Sequence, residues 1–210
     1  MLRALQDAGV EHTMIGAMAM GIHGLVRATE DVAMLVRAEK GNIERIRREL
    51  RTTYPEDESV EEIRKNDLVG DYDVVRYCCA RRSGEYYFDF ISRLREVVTF
   101  ESVESEVKDV EGVRVRVATP LALYHFKKDT VRPIDWQDAT APPNQFQLKD
   151  DNWMAVQRFR SMSEWNDAAD PLPKSDGFER FNRHNAFLRQ LSKFSYPRGV
   201  NRYRNLEEAQ

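Results

Sequence analysis

Apolar positions fall in short runs whose spacing switches between that of a helix and that of a strand. Leu2–Asp7 predicts a short amphipathic helix stopped by Ala8-Gly9. His12–Ile15 is a brief apolar strand, and Ala17–Leu25, rich in methionine and alanine, is a helix closed by Gly24. Over Thr29–Val36 the residues Val32, Met34 and Val36 alternate with Asp31, Ala33 and Leu35, the period of a second strand. Asn42–Tyr54 is a charged helix with Ile43, Ile46 and Leu50 on its buried side, and Val60–Asn66 predicts a shorter one. Asp73–Ala80 and Glu85–Ile91 read as strands joined at Arg82-Ser83-Gly84, and Val107–Val110 with Val113–Val117 as a hairpin across Glu111-Gly112. Thr119 caps a helix that has Pro120 at its first position and runs to about Thr130. Pro133 then breaks the chain, and Ile134–Ala139 resumes it.

The pattern changes at Thr140-Ala141-Pro142-Pro143-Asn144, which predicts a linker over 141–151 between a domain at 1–140 and a module at 152–210. In the module, Val-x-Arg-aromatic-Arg-polar-apolar-x-Glu occurs at Val156–Glu164 and again at Val200–Glu208. Between the copies Phe178, Phe181, Phe187, Leu188 and Leu191 stand at helical spacing. Two copies are too few for a solenoid and predict two clasps around one helix. The expected fold is α/β (α+β): a mixed sheet with flanking helices, followed by a small, mainly helical C-terminal module.

Composition narrows the choice of function. With 210 residues, 41% of them hydrophobic, the chain can bury a core, while 32% charged residues keep its surface solvated. No apolar run is long enough to span a bilayer, and no basic-then-apolar leader opens the chain, so the expected location is cytoplasmic with no membrane partner. Cys78 and Cys79 are adjacent and read as free thiols of a reducing compartment. No second cysteine pair or spaced histidine pair suggests zinc, and His23 and His125 read as packing residues. Residues 1–151 carry 22 basic and 28 acidic side chains, residues 152–210 carry 10 and 7, so the two parts have opposite net charge. The aromatic–basic clasps could stack on bases. With so small a charge excess, an edge strand or helix lead-in that pairs with the acidic body is the favoured reading.

The chemistry centres on Met14-Ile15-Gly16-Ala17 followed by Asp31-Val32-Ala33-Met34. A strand ends in glycine, a helix starts at once, and a second strand presents an acid. Small residues at such a turn let backbone N–H groups approach a phosphate. Carboxylates at i and i+2 of a strand share a face and, joined by a third, can hold two Mg²⁺ ions. One ion activates the attacking oxygen, and the other steadies the triphosphate and the leaving pyrophosphate.

The stretch IGAMAMGIHGLVRATEDVAMLV resembles the opening of polymerase-beta-superfamily nucleotidyltransferases of the abortive-infection and toxin type, with Arg27, Thr29 and Asp31 on the family pattern. The resemblance covers roughly residues 1–140. It implies that Asp89, in Tyr87-Phe88-Asp89-Phe90-Ile91, is the later carboxylate, and that Asp31 and Asp89 bind metal. It further implies that Gly16 and Ala17 cradle the triphosphate and that Lys127 or Lys128 offsets its charge, with Arg132, Asp135 and Asp138 as a polar continuation. The implied reaction is Mg²⁺-dependent transfer of a nucleoside monophosphate from an NTP to an RNA (tRNA) or protein acceptor, in a toxin–antitoxin or phage-defence setting. The tail resembles short bacterial partner proteins with Arg-aromatic-Arg boxes, which implies a fused antitoxin-like module.

The sequence departs from the family where Ala33 takes the place of the second carboxylate. A methyl group cannot ligate a metal, so the site residues Asp31, Ala33 and Asp89 describe an impaired centre. Two readings of Ala33 stand: a natural pseudoenzyme that binds nucleotide or partner, or an engineered inactivation, which the intact Arg27-x-Thr29-x-Asp31 frame favours. Two further functions stand beside the RNA- or protein-directed enzyme. One is a non-catalytic, antitoxin-like binding protein, and the other is a nucleotidyltransferase acting on a small antibiotic.

Overall fold

The computed structural model describes residues 1–25, 29, 31–81, 84–94, 97–127 and 198–209. In chain order the elements are α1 (Leu2–Asp7), β1 (His12–Met14), α2 (Gly16–Ile22), β2 (Asp31–Val36), α3 (Lys40–Thr53), β3 (Val74–Arg81) and β4 (Gly84–Ile91). There follow β5 (Arg93–Leu94), β6 (Val98–Thr99), β7 (Ser105–Val110), β8 (Val113–Ala118), α4 (Pro120–Lys127), β9 (Gly199–Tyr203) and α5 (Leu206–Ala209). Seven strands form one mixed sheet in the order β7-β8-β1-β2-β4-β3-β9, and β5-β6 form a separate ribbon. The pairs β1–β8 and β2–β4 are parallel, and the others are antiparallel. This is the mixed α/β sheet with helices that the alternating pattern predicts.

Two local features set the register. Glu111 (φ 53°) and Gly112 (φ 74°) both adopt the left-handed conformation, as a two-residue hairpin loop between right-twisted strands requires. The Gly112 N–H is held by the Asp109 carboxylate at 2.9 Å, and Val110 pairs with Val113. The second feature is Asn42, fully buried at the start of α3. Its side-chain amide donates to the Glu11 and Arg37 carbonyls at 2.9 and 3.0 Å, and its oxygen accepts the Glu11 N–H at 2.9 Å. One side chain thus ties the start of β1, the end of β2 and α3 together.

The core is built on the strand pattern. Ile43, Ile46 and Leu50 of α3 are buried, and Tyr54 at its end tilts against Tyr77 and Phe88 with ring centroids 5.7 and 6.4 Å away. The stretch Val60–Asn66, expected as one helix, is instead a 3-10 turn over Glu58–Glu62 followed by a single π turn over Asp67–Asp71. Asp57 starts the first by accepting the Ser59 N–H at 3.1 Å. Buried Asp67 starts the second and accepts the Arg64 N–H at 2.8 Å.

A further difference lies at the C-terminus. Residues 199–203, expected within a helical module, form β9, an edge strand of the main sheet paired with β3 from Val74↔Tyr203 to Cys78↔Gly199. Alternation explains it: Val200 and Arg202 face one side of the sheet, Asn201 and Tyr203 the other. This matches the reading of the second clasp as an edge strand. The linker, the first clasp and the central helix of the module lie outside the described residues. Among the described residues no helix is long and apolar enough to cross a membrane.

Candidate functional site: an acidic row beside a glycine turn

Strand pairing decides which side chains share a face. Ala33 of β2 pairs with Asp89 of β4, Asp89 with Arg76 of β3, and Arg76 with Asn201 of β9. One step along the same face, Asp31 pairs with Tyr87 and Tyr87 with Cys78. Asp31, Ala33 and Asp89 therefore lie together, as the sequence predicts. The Ile15 N–H donates to the Ala33 carbonyl at 3.0 Å, which brings the β1–α2 turn to this place. Gly16 has φ 68°, and a Cβ built on it would stand 3.4 Å from the Ala33 Cβ. A glycine is thus suited to the turn by conformation, and the small side chain at position 33 lies directly beneath it. Ala17 follows as the next residue of α2 and is buried.

The two aspartates differ in environment. Asp31 is half-buried and accepts a hydrogen bond from the Thr29 hydroxyl. Asp89 is 2% exposed, and both its oxygens are taken by Arg76, Oδ1 by Nε at 2.7 Å and Oδ2 by an Nη at 2.8 Å. Burial pushes the Asp89 carboxyl above the ordinary carboxylate range. The Arg76 hydrogen bonds and charge pull it down, and Asp31 pushes it up again, so the two acids sense each other. Arg76 is itself buried, with its guanidinium carbon 5.7 Å from the centre of the Tyr203 ring.

Sequence reasoning singled out Asp89 but not Arg76. The available signal was a charged residue inside the apolar run Val74-Val75-Arg76-Tyr77, which demands a buried partner. Of the other expected site residues, Lys127 sits in the last turn of α4, which packs on α2. Arg27 and Lys128 lie outside the described residues. His23, read as a packing residue, caps α2 and bonds the Ala118 carbonyl at 2.8 Å.

These donors do not fit a two-Mg²⁺ centre. Three carboxylates are needed; here one position is a methyl group, and each oxygen of Asp89 already accepts a hydrogen bond from the Arg76 guanidinium. Among the described residues no group of three His, Cys, Asp or Glu side chains is placed to hold a metal ion.

No protein-family model matches the sequence, and no curated protein matches it. Among solved structures, the chain is similar to an antigenic nucleotidyltransferase-like protein from Paracoccidioides brasiliensis. The two are 13% identical over 80% of this chain and 81% of that one, with a TM-score of 0.46.

Proposed function

We propose that this chain is a nucleotidyltransferase-like protein that receives a nucleoside triphosphate at the Gly16–Ala17 turn and whose transfer chemistry is impaired at Ala33. The observation that supports it is convergence: Gly16, Asp31 and Asp89, from three separate stretches, meet at one place on the sheet. The acceptor class that goes with this reading is an RNA end such as tRNA, or a protein, in a toxin–antitoxin or phage-defence system in the cytoplasm. In an intact centre of this kind Mg²⁺ would neutralise the triphosphate and the leaving pyrophosphate. In this chain the turn and Asp31 remain available for binding.

The Arg76–Asp89 pair favours a second reading within the same frame, a protein that binds nucleotide without transferring it. Equilibrium dialysis with each labelled NTP tests the shared claim. Saturable binding of at least one NTP is expected, with loss in Gly16→Val, whose side chain fills the turn. If no NTP binds, both readings fail. Label transfer to RNA, protein and aminoglycoside acceptors by Ala33→Asp/Arg76→Gln, which restores the missing acid and releases Asp89 from Arg76, then separates them. Labelled RNA or protein supports an impaired enzyme, retained binding without labelling supports the binding protein, and a labelled drug alone points to the antibiotic-modifying reading.

A further inference from the structure

The acidic row contains a cation of its own. Arg76 stands next to Asp89 in register and engages both carboxylate oxygens in the fork geometry of a guanidinium on an ionised carboxylate. The side chains of the pair are 5% and 3% exposed. On its far side Arg76 is covered by β9, with Asn201 opposite it in register and the Tyr203 ring beside its guanidinium. A metal at Asp89 would therefore have to share each oxygen with a hydrogen bond from Arg76, and Arg76 has β9 across its route to solvent. A divalent ion bound at Asp89 would also face the guanidinium at close range in a poorly screened interior, where like charges repel strongly.

We propose that Arg76 fills, as a built-in cation, the place on this face that a divalent metal ion would take. Arg76 and Ala33 then act together: one occupies Asp89, the other leaves a ligand missing. Restoring the carboxylate at position 33 alone does not create a metal site, because the new acid would be added beside a carboxylate already committed and within reach of the same guanidinium. The proposal rests on the reading of this face as a nucleotidyltransferase-type site, since that reading is what makes a metal the alternative occupant. Arg76 is a positioning residue here, acting through Asp89.

Manganese titration followed by electron paramagnetic resonance of the free ion tests this without relying on activity. Wild type, Asp31→Asn and Ala33→Asp should agree in Mn²⁺ affinity within ~3-fold, while Ala33→Asp/Arg76→Gln, with folding checked by circular dichroism, should bind at least ~10-fold more tightly. A ~10-fold loss on Asp31→Asn, or a ~10-fold gain in Ala33→Asp alone, overturns the proposal, as does a folded double variant with no gain. Should the double variant not fold, the comparisons of Asp31→Asn and Ala33→Asp with wild type still decide. Dialysis against NTP in EDTA keeps this separate from the functional reading. Absent nucleotide binding sinks the nucleotide claim, while Mn²⁺ binding to wild type that depends on Asp31 sinks this one.

Discussion

Asp31 and Asp89 are the same residue type on the same face, yet their surroundings give them different work. Asp89 is a buried anchor for Arg76, and Asp31 is half-buried and accepts a hydrogen bond from the Thr29 hydroxyl. Asp89→Asn should therefore leave an uncompensated guanidinium in the interior and cost about 3–5 kcal/mol of stability. Asp31→Asn should cost under about 1 kcal/mol, since a partly solvated acceptor is easily replaced by water. Urea denaturation of the two variants checks the contrast, and equal losses would mean that Asp89 is not an anchor. The same contrast explains what could be read from the sequence. Asp31 and Ala33 share a face by simple alternation, and Gly16 announces a turn, so these positions were legible. The Arg76–Asp89 pair depends on the register of a hairpin, which no local pattern near Arg76 specifies.

At the scale of elements, helices and strands with strong periodicity were legible from α1 through α4, because each needs only its own apolar face. Strand order was not, and β9 shows why. It joins the sheet through β3, far away in sequence, and Arg202 within it and Arg204 just past its end are not equivalent. Arg202 reaches across to Asp67, Nε to Oδ2 at 2.9 Å, and also donates to the Glu62 carbonyl, whereas Arg204 is exposed. The Asp67 side chain is 3% exposed, so it relies on protein partners rather than water. Arg202→Ala should cost about 2–3 kcal/mol, the range for hydrogen bonds to a charged group left unmade. Arg204→Ala should stay within about 0.5 kcal/mol. Hydrogen exchange gives the structural readout: amides of Gly199–Tyr203 should lose protection in Arg202→Ala while those of β1 keep it. Unchanged protection of β9 would show that backbone pairing alone holds the edge.

For the molecule as a whole, the protonation of two core histidines couples the sheet to pH. His12 opens β1, is 8% exposed, and has Nδ1 2.9 Å from the Val10 carbonyl. Burial lowers its pKa below the ordinary 6.5, the Val10 bond opposes this, and Arg116 adds to the lowering. His23 is lowered too, chiefly by burial; the Ala118 bond opposes this, Lys108 adds to the lowering, and Glu106, 3.6 Å from its Nδ1, favours the charged form. Below 6.5 the unfolded chain takes up protons that the folded protein resists, so this part of the stability is complete above 6.5 and drains away as pH falls through it. The limiting slope is about 1.4 kcal/mol per pH unit for each such histidine. Wild type should show a flat unfolding free energy from about pH 7 to 8 and a decline below 6.5. In His12→Asn, whose amide can still reach the Val10 carbonyl but does not titrate, the decline should be shallower by up to one proton's worth. Asp89 and the other carboxylates are common to both proteins, so their contribution cancels in the difference between the two curves. Parallel curves for the two proteins would show that His12 accommodates its charge in the fold, and the lowered pKa would have to be abandoned as a source of acid sensitivity.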